Sequence, residues 1–265
     1  MYDLDTINSF YKNSEFKNIL DNYNGLCIPF DPKWNNVSVT ISGGADSALL
    51  SFILCSLIQK HNSNCTVHVI YNIRCWRTRP WQEYIAEKVY NEIRKLFPNI
   101  KFERHVNFVP PEFEHGSREP YIVDEYGKVN GGDVIELRAY AEYIGYAYNI
   151  DAYYNAVTKN PDVNINGALE KRNINISKEN FYLMLRHFNN QLICHPFRFV
   201  SKDWVIKQYI NQNLLDLLNI TRSCEGEFPD ITYKTYVRGQ YVPLCENCFW
   251  CKERKWGIDE NLQTG

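Results

Sequence analysis

Asn36-Val37-Ser38-Val39-Thr40-Ile41 runs directly into Ser42-Gly43-Gly44-Ala45-Asp46-Ser47, and this stretch decides the fold. Its first half alternates apolar and polar side chains, as a half-buried strand does. Its second half is a glycine turn, after which Ala48 to Lys60 reads as an apolar helix. A strand that turns through glycines into a helix opens an α/β sheet, and such sheets bind ligands beyond the carboxyl ends of their strands. The glycines let backbone N–H groups approach an anion, and the helix N-terminus adds partial positive charge. Ser42 and Ser47 can donate to phosphate oxygens. Asp46 would repel a phosphate, so it is expected to cap the helix or to act through Mg²⁺. The loop carries neither the Gly-Lys-Ser/Thr of a Walker motif nor GxGxxG spacing.

Outward from this unit the chain repeats the theme. Cys65 to Tyr71 reads as a strand, Trp81 to Phe97 as a helix with an i, i+3, i+4 apolar pattern, and Ile100 to Val106 as a third strand. Residues 107–132, with Pro110-Pro111 and Gly131-Gly132, form a long irregular connection. A helix over Asp133–Asn149 then feeds a strand over Asp151–Val157. After an Asn-rich loop, a helix is expected over Lys178–Asn190 and a short strand over Leu192–Pro196. Ser201 is expected to cap a helix over Lys202–Asn211, and Leu214–Leu218 adds a turn. The order predicts a doubly wound α/β domain with a mainly parallel sheet over 36–219. Residues 1–35 form an N-terminal helical extension, with a helix over 1–25, and 220–265 a small C-terminal lobe organised by metal.

Composition excludes several classes. Among 265 residues, 45% are hydrophobic and 15% aromatic, so general disorder is excluded. A net charge of −2 argues against a broad nucleic-acid surface. No apolar run is long enough to span a bilayer. Met1-Tyr2-Asp3-Leu4-Asp5 lacks the basic and apolar regions of a signal peptide, which sets the expectation of a cytoplasmic protein. His68 and His195 sit in strand-like apolar runs and read as core histidines.

The nine cysteines divide unevenly. Cys27, Cys55, Cys65, Cys75 and Cys194 are scattered through apolar segments as small packing residues. Cys245, Cys248 and Cys251 form a CxxCxxC run, and Cys224 supplies a fourth thiol upstream. Four thiolates match tetrahedral Zn²⁺, and the short gaps let backbone N–H groups point at the sulfurs. A site closed by four cysteines is structural, with no open position for water. An iron–sulfur cluster uses the same spacing, and a redox pair is the third reading.

Ser42-Gly43-Gly44-Ala45-Asp46-Ser47 resembles the SGGxDS loop of the PP-loop ATP pyrophosphatase superfamily, which has an adenine-nucleotide alpha-hydrolase-like fold. Within it, Thr221-Arg222-Ser223-Cys224 followed by Cys245, Cys248, Cys251, Arg254 and Gly257-Ile258 resembles the tail of 7-cyano-7-deazaguanine synthase, the QueC (ExsB) type. Ser201-Lys202 resembles that family's Ser-Lys, and Asn155-Ala156 its Asn-Ala. The resemblance spans residues 36 to 258 in four separated blocks.

It implies an ATP-dependent C–N ligase that releases AMP and pyrophosphate. Such an enzyme adenylates 7-carboxy-7-deazaguanine, aminates it with ammonia, and dehydrates the amide to the nitrile with a second ATP. The implied cofactors are ATP, Mg²⁺ and Zn²⁺. Residues 42–47 would bind ATP, with Asp46 and Lys202 catalytic, Lys202 as the cation on phosphate or acyl oxygen. Asn155 would line the substrate pocket. Arg77 and Arg79, near Trp76 and Trp81, can hold a carboxylate or form a solvated basic turn.

Two segments depart from the family's pattern: Tyr71 to Arg79 replaces its Gln-Arg-His segment, and Gly131-Gly132-Asp133-Val134 its Pro-Gly-Arg-Asn. Members are often homodimers. A composition rich in Asn, Ile, Lys and Tyr suits a bacterial cell or a phage-infected host. The alternatives are a divergent PP-loop ATPase that modifies another acid, a protein or tRNA, and a non-catalytic nucleotide-binding defence module.

Overall fold

The β-branched runs around Val37 and Val67 become two neighbouring inner strands of a sheet covered on both faces. In the computed structural model, the described residues are 4–73, 79–109, 122–123, 129–130, 132–161, 163–165, 185–188, 191–225, 235, 237 and 242–262. Strand β3 (Asn36–Thr40) pairs in parallel with β4 (Thr66–Ile73), and β4 with β5 (Phe102–Phe108). On the other side β3 pairs in parallel with β8 (Ala152–Tyr154), and β8 with β10 (Gln191–Cys194). The order is β5-β4-β3-β8-β10-β9, so five strands are parallel and β9 (Leu185–Phe188) closes one edge antiparallel, while the short strands β6 (Ile122–Val123) and β7 (Val129–Asn130) pair with each other in a separate antiparallel ribbon. This is the expected α/β architecture. The chain leaves β3 toward β4 on one side and returns to β8 on the other. The loops after β3 and β8 therefore flank a topological switch point, where a crevice opens.

Alternation along β4 separates two cores. Val67, Val69, Tyr71 and Ile73 join the main core, with Leu49, Ile53 and Leu57 of α2 (Ala45–Lys60) and Val89 and Ile93 of α3 (Gln82–Leu96). Ile70 instead meets Ala141 and Ile144 of α4 (Gly132–Ala147). Helices α5 (Lys202–Asn211) and α6 (Leu215–Ile220) complete the main core through Val205, Tyr209 and Leu217. The tail ends in α7 (Phe249–Leu262), which packs on α5 at Gly257. A Cβ at Gly257 would lie 3.1 Å from Lys202 Cγ and 3.2 Å from the Lys202 carbonyl carbon. No helix among the described residues is long and apolar enough to cross a membrane.

Three local expectations are corrected. The first helix is only α1 (Leu4–Lys12), and it is followed by a hairpin of β1 (Leu20–Tyr23) and β2 (Leu26–Pro29). Asn24 (φ 48°) and Gly25 (φ 88°) form its turn, the left-handed pair that a two-residue hairpin requires. Phe16 thus reaches the core from beyond α1, while Ile28 and Phe30 arrive from the hairpin side. Residues 185–188, expected as helix, form the edge strand β9, and the rest of 178–190 lies outside the described residues. Ser201 occupies the N-cap position of α5, but its hydroxyl bonds the Asp203 carboxylate instead of a backbone N–H.

His68 on β4 is a buried core histidine, as expected. Its Nε2 lies 3.2 Å from Asn36 Oδ1 and its Nδ1 2.9 Å from His105 Nε2 on β5. Burial pushes its pKa down to about 4, with Glu103 pulling it back and His105 and Lys101 adding to the fall. The ring is thus neutral when folded but takes up a proton near pH 6.5 when unfolded. Stability is complete above that pH and falls as pH drops from about 6.5 toward about 4. Urea midpoints at pH 5 and pH 7 should differ more for the wild type than for His68→Gln, by an amount on the order of 1–3 kcal/mol.

Candidate functional site

The turn from β3 into α2 takes its shape from Gly43, whose φ of +82° excludes other residues at little cost. Space excludes them as well: a Cβ there would lie 3.0 Å from Ile85 Cγ2 and 3.2 Å from Ala86 N on α3. Gly44 is the N-cap of α2, and no side chain caps the helix. The first-turn N–H groups after it have no intrahelical partner, the arrangement that receives an anion. Ser42 and Ser47 brace the turn. Ser47 Oγ accepts the Ser42 N–H at 3.2 Å, lies 3.1 Å from Ser42 Oγ, and donates to the Gly44 carbonyl at 3.1 Å.

Asp46 does not cap α2. Both of its oxygens lie 2.5 Å from Lys202 Nζ, at the first residue of α5. Lys202 is 1% exposed, and on its other side Glu253 Oε2 of α7 lies 3.9 Å away. A cation at a helix N-terminus opposes the helix dipole. Here two carboxylates from other helices offset that penalty. Tyr209 adds a tie between α5 and the loop by donating to the Ala45 carbonyl at 2.6 Å.

Above the loop lies a cavity of about 310 Å³. Ser42, Gly44, Asp46, Ser47 and Lys202 line one side of it, and Asn155, beyond β8, lines another. Asn155 is held there by its N–H to the Cys194 carbonyl at 2.9 Å. Arg79 reaches the cavity but is ion-paired with Glu225. Arg77 lies outside the described residues. The four residues Arg222 to Glu225 form a further wall, and the Arg222 N–H donates to the Gly43 carbonyl at 2.8 Å. The structure therefore brings Ser42, Gly44, Asp46, Ser47, Lys202, Asn155 and Arg79 to one cavity. The sequence reading placed Trp81 beside the arginines and missed Arg222, Ser223 and Glu253 as lining residues. Position next to Cys224 could have flagged Arg222 and Ser223, whereas nothing in its local sequence marks Glu253.

Cys224 lines the same cavity and joins Cys245, Cys248 and Cys251 in a group whose sulfurs all lie within 4.8 Å of one another. Two of the separations are 3.4 Å, Cys224 to Cys245, and 3.9 Å, Cys245 to Cys251. Backbone N–H groups of Glu225 and Cys248 point at the sulfurs of Cys248 and Cys245, each at 3.4 Å. The group can hold a metal. Arg254 ties its helix to the chain before Cys224, donating to the Thr221 carbonyl at 3.0 Å, Thr221 Oγ1 at 2.7 Å and the Leu218 carbonyl at 2.9 Å.

No family model matches the chain, and no curated protein matches its sequence. Among solved structures the chain is similar to the U34-tRNA thiolase NcsA from Methanococcus maripaludis with its [4Fe-4S] cluster, at 14% identity and a TM-score of 0.44. The match covers 99% of this chain and 74% of that one.

Removing Lys202 leaves two carboxylates facing each other in a nearly closed space. Lys202→Met should therefore lower stability by about 3 kcal/mol, read by chemical denaturation, because breaking one partner of a buried pair strands the other. Lys202→Arg should retain more than half of that loss, since a guanidinium does not fit a space shaped for an ammonium.

Proposed function

We propose that the chain is an ATP-dependent C–N ligase of the 7-cyano-7-deazaguanine synthase type, acting on a 7-carboxy-7-deazaguanine-type acid. One observation carries the reading: a single cavity at the switch point joins the uncapped N-terminus of α2, Lys202 and Asn155 to the segment leading into Cys224. Carboxylates resist amines because oxide is a poor leaving group, so the reaction needs activation. The acid's oxygen attacks the α-phosphorus of ATP, the bond to pyrophosphate breaks, and an acyl adenylate forms. Ammonia adds to the acyl carbon, AMP leaves, and a proton is lost to give the amide. A second ATP activates the amide oxygen in the same way, and loss of AMP and protons leaves the nitrile.

In this reading the residues 42–47 turn and the α2 N-terminus hold the phosphates. Lys202 is the cation beside the developing charge, and Asp46 positions it. Asp46 is engaged with Lys202, so no Mg²⁺ role is assigned to it, and Mg²⁺ enters with the nucleotide. Asn155 and Arg79 border the acid.

Cys224, Cys245, Cys248 and Cys251 would hold Zn²⁺. A tetrahedral ion with bonds near 2.3 Å sets sulfurs about 3.8 Å apart, in line with the separations here. A four-iron cluster interposes iron and sulfide between thiolates and needs them wider. Bound zinc would supply folding free energy to the lobe. A second reading, a PP-loop enzyme that modifies tRNA, is favoured by Cys224, because that thiol borders the nucleotide cavity.

Purified protein incubated with ATP, Mg²⁺, ammonia and 7-carboxy-7-deazaguanine should release AMP and pyrophosphate only when the acid is present. Product mass should show the amide or nitrile. ADP as the sole nucleotide product, or indifference to the acid, would sink the reading, and AMP release driven by tRNA instead would support the second. Elemental analysis should find about one zinc per chain, lost in Cys248→Ser. Bound iron with visible absorbance would overturn the choice of metal.

A further inference from the structure

The cavity wall beside the residues 42–47 turn holds donors with no partner among the described residues. Trp81, just before α3, is 3% exposed and lines the cavity, yet its indole N–H has no hydrogen-bond partner among the described residues. An indole nitrogen can only donate. A buried donor left unpaired costs about 1–3 kcal/mol, so each one in a folded chain calls for an explanation. Two more stand beside it: Ser223 Oγ and Arg222 Nε are likewise buried and unpartnered, on residues lining the same cavity.

Arg222 has the geometry of a held cation. Its guanidinium lies 5.1 Å from the centre of the Trp81 ring. Its two terminal nitrogens donate to the neutral carbonyls of Val242 and Pro243, the latter at 2.7 Å. Among the described residues no carboxylate pairs with it. Those carbonyls and the indole face fix the plane of the guanidinium and leave Nε–H, with the second N–H of each terminal nitrogen, as its remaining donors. The wall also adjoins the phosphate turn: an atom at the Cβ position of Gly44 would lie 3.7 Å from the Arg222 carbonyl and 4.0 Å from Ser223 Oγ.

We propose that Trp81, Arg222 and Ser223 form an oxyanion subsite distinct from the α2 N-terminus, and that it holds the carboxylate of the planar acid to be activated. The inference rests on the proposed function and adds to it the groups that receive the acid. One cation with two neutral donors matches a monoanion with two acceptor oxygens. The polyanionic phosphates have their own provision in the adjoining helix N-terminus and Lys202. A carboxylate held this way stays ionised and keeps its attacking oxygen next to the turn where the α-phosphorus would lie. Phosphate oxygens present the same acceptor chemistry, so the test must separate the two sources.

Trp81→Phe retains the ring under Arg222 and removes only the N–H. Ser223→Ala removes only the hydroxyl. Titration calorimetry of the full-length wild type and both variants, with α,β-methylene ATP and with 7-carboxy-7-deazaguanine, separates the ligands. Each variant should weaken acid binding about 5- to 10-fold and leave the nucleotide analogue within twofold. Unchanged acid affinity, or loss of the analogue in parallel, overturns the assignment to the acid. In ¹⁵N-labelled wild type the Trp81 indole N–H signal, identified by its loss in Trp81→Phe, should move downfield when the acid saturates. If the wild type binds no such acid, the functional reading fails by itself, and inorganic phosphate then reads the subsite. A phosphate-driven shift of the same signal keeps the subsite, and a signal that no oxyanion moves removes it.

Discussion

The site depends on one sequestered ammonium. Lys202 begins a helix, the end at which a positive charge is least favoured, and it is withdrawn from water almost completely. It can stay there only because Asp46 on α2 and Glu253 on α7 bring their carboxylates to it. Three helices from three parts of the chain must therefore hold a common register. The turn that enters α2 and the run that carries Cys251 are both bound by that requirement. Gly257 belongs to the same constraint, because α7 can approach Lys202 only where no side chain intervenes.

The cysteine centre acts on the loop by a second route. Between Thr221 and Glu225 the chain passes from the grip of Arg254 to the carbonyl of Gly43 and then to the sulfurs. An ion binding four thiols would fix this segment at its far end, and the free energy of that binding is free energy of folding. Arg222 and Ser223 lie in the span so fixed. A metal with no place in the chemistry would still set the distance between the phosphate turn and the adjoining wall.

Much of the scaffold was legible because periodicity and turn chemistry agree locally. The strand at 36–41, the glycine turn and the apolar helix form one unit whose signals reinforce each other, and the parallel sheet follows from its repetition. The thiol spacing was equally local. The hairpin at 20–29 was overlooked although Asn24-Gly25 is a strong short-range turn signal, because the apolar residues around it also fit a helical face. Residues 185–188 could not be separated from helix by pattern, since four residues of mixed polarity, Leu185-Arg186-His187-Phe188, suit either state and only pairing with β10 decides. Within the site, Asp46 could be seen as a residue with a task but not which task. Its partner lies 156 positions away, and no local rule reports such a pairing. Glu253 was invisible for the same reason.

The two sides of the cavity differ in how their polar groups are satisfied, and that difference gives the site a direction. On the α2 side each charge has an opposite within the chain: Lys202 lies against Asp46 and Glu253, and the serine hydroxyls are spent on bracing the turn. A phosphate arriving there meets backbone donors already aimed and a lysine whose present partner it must share. Beside the turn an arginine and two neutral donors have, among the described residues, carbonyls or no acceptor to bond. Folding ordinarily removes such an imbalance, because an unpaired buried donor costs about as much as a hydrogen bond returns. Where the imbalance survives beside a cavity, the missing acceptor is most simply supplied by a ligand. Under the proposed chemistry the polyanion and the monoanion would then be held by adjoining walls, with the reacting phosphorus and oxygen meeting in the cavity beside Gly44 and Ser223.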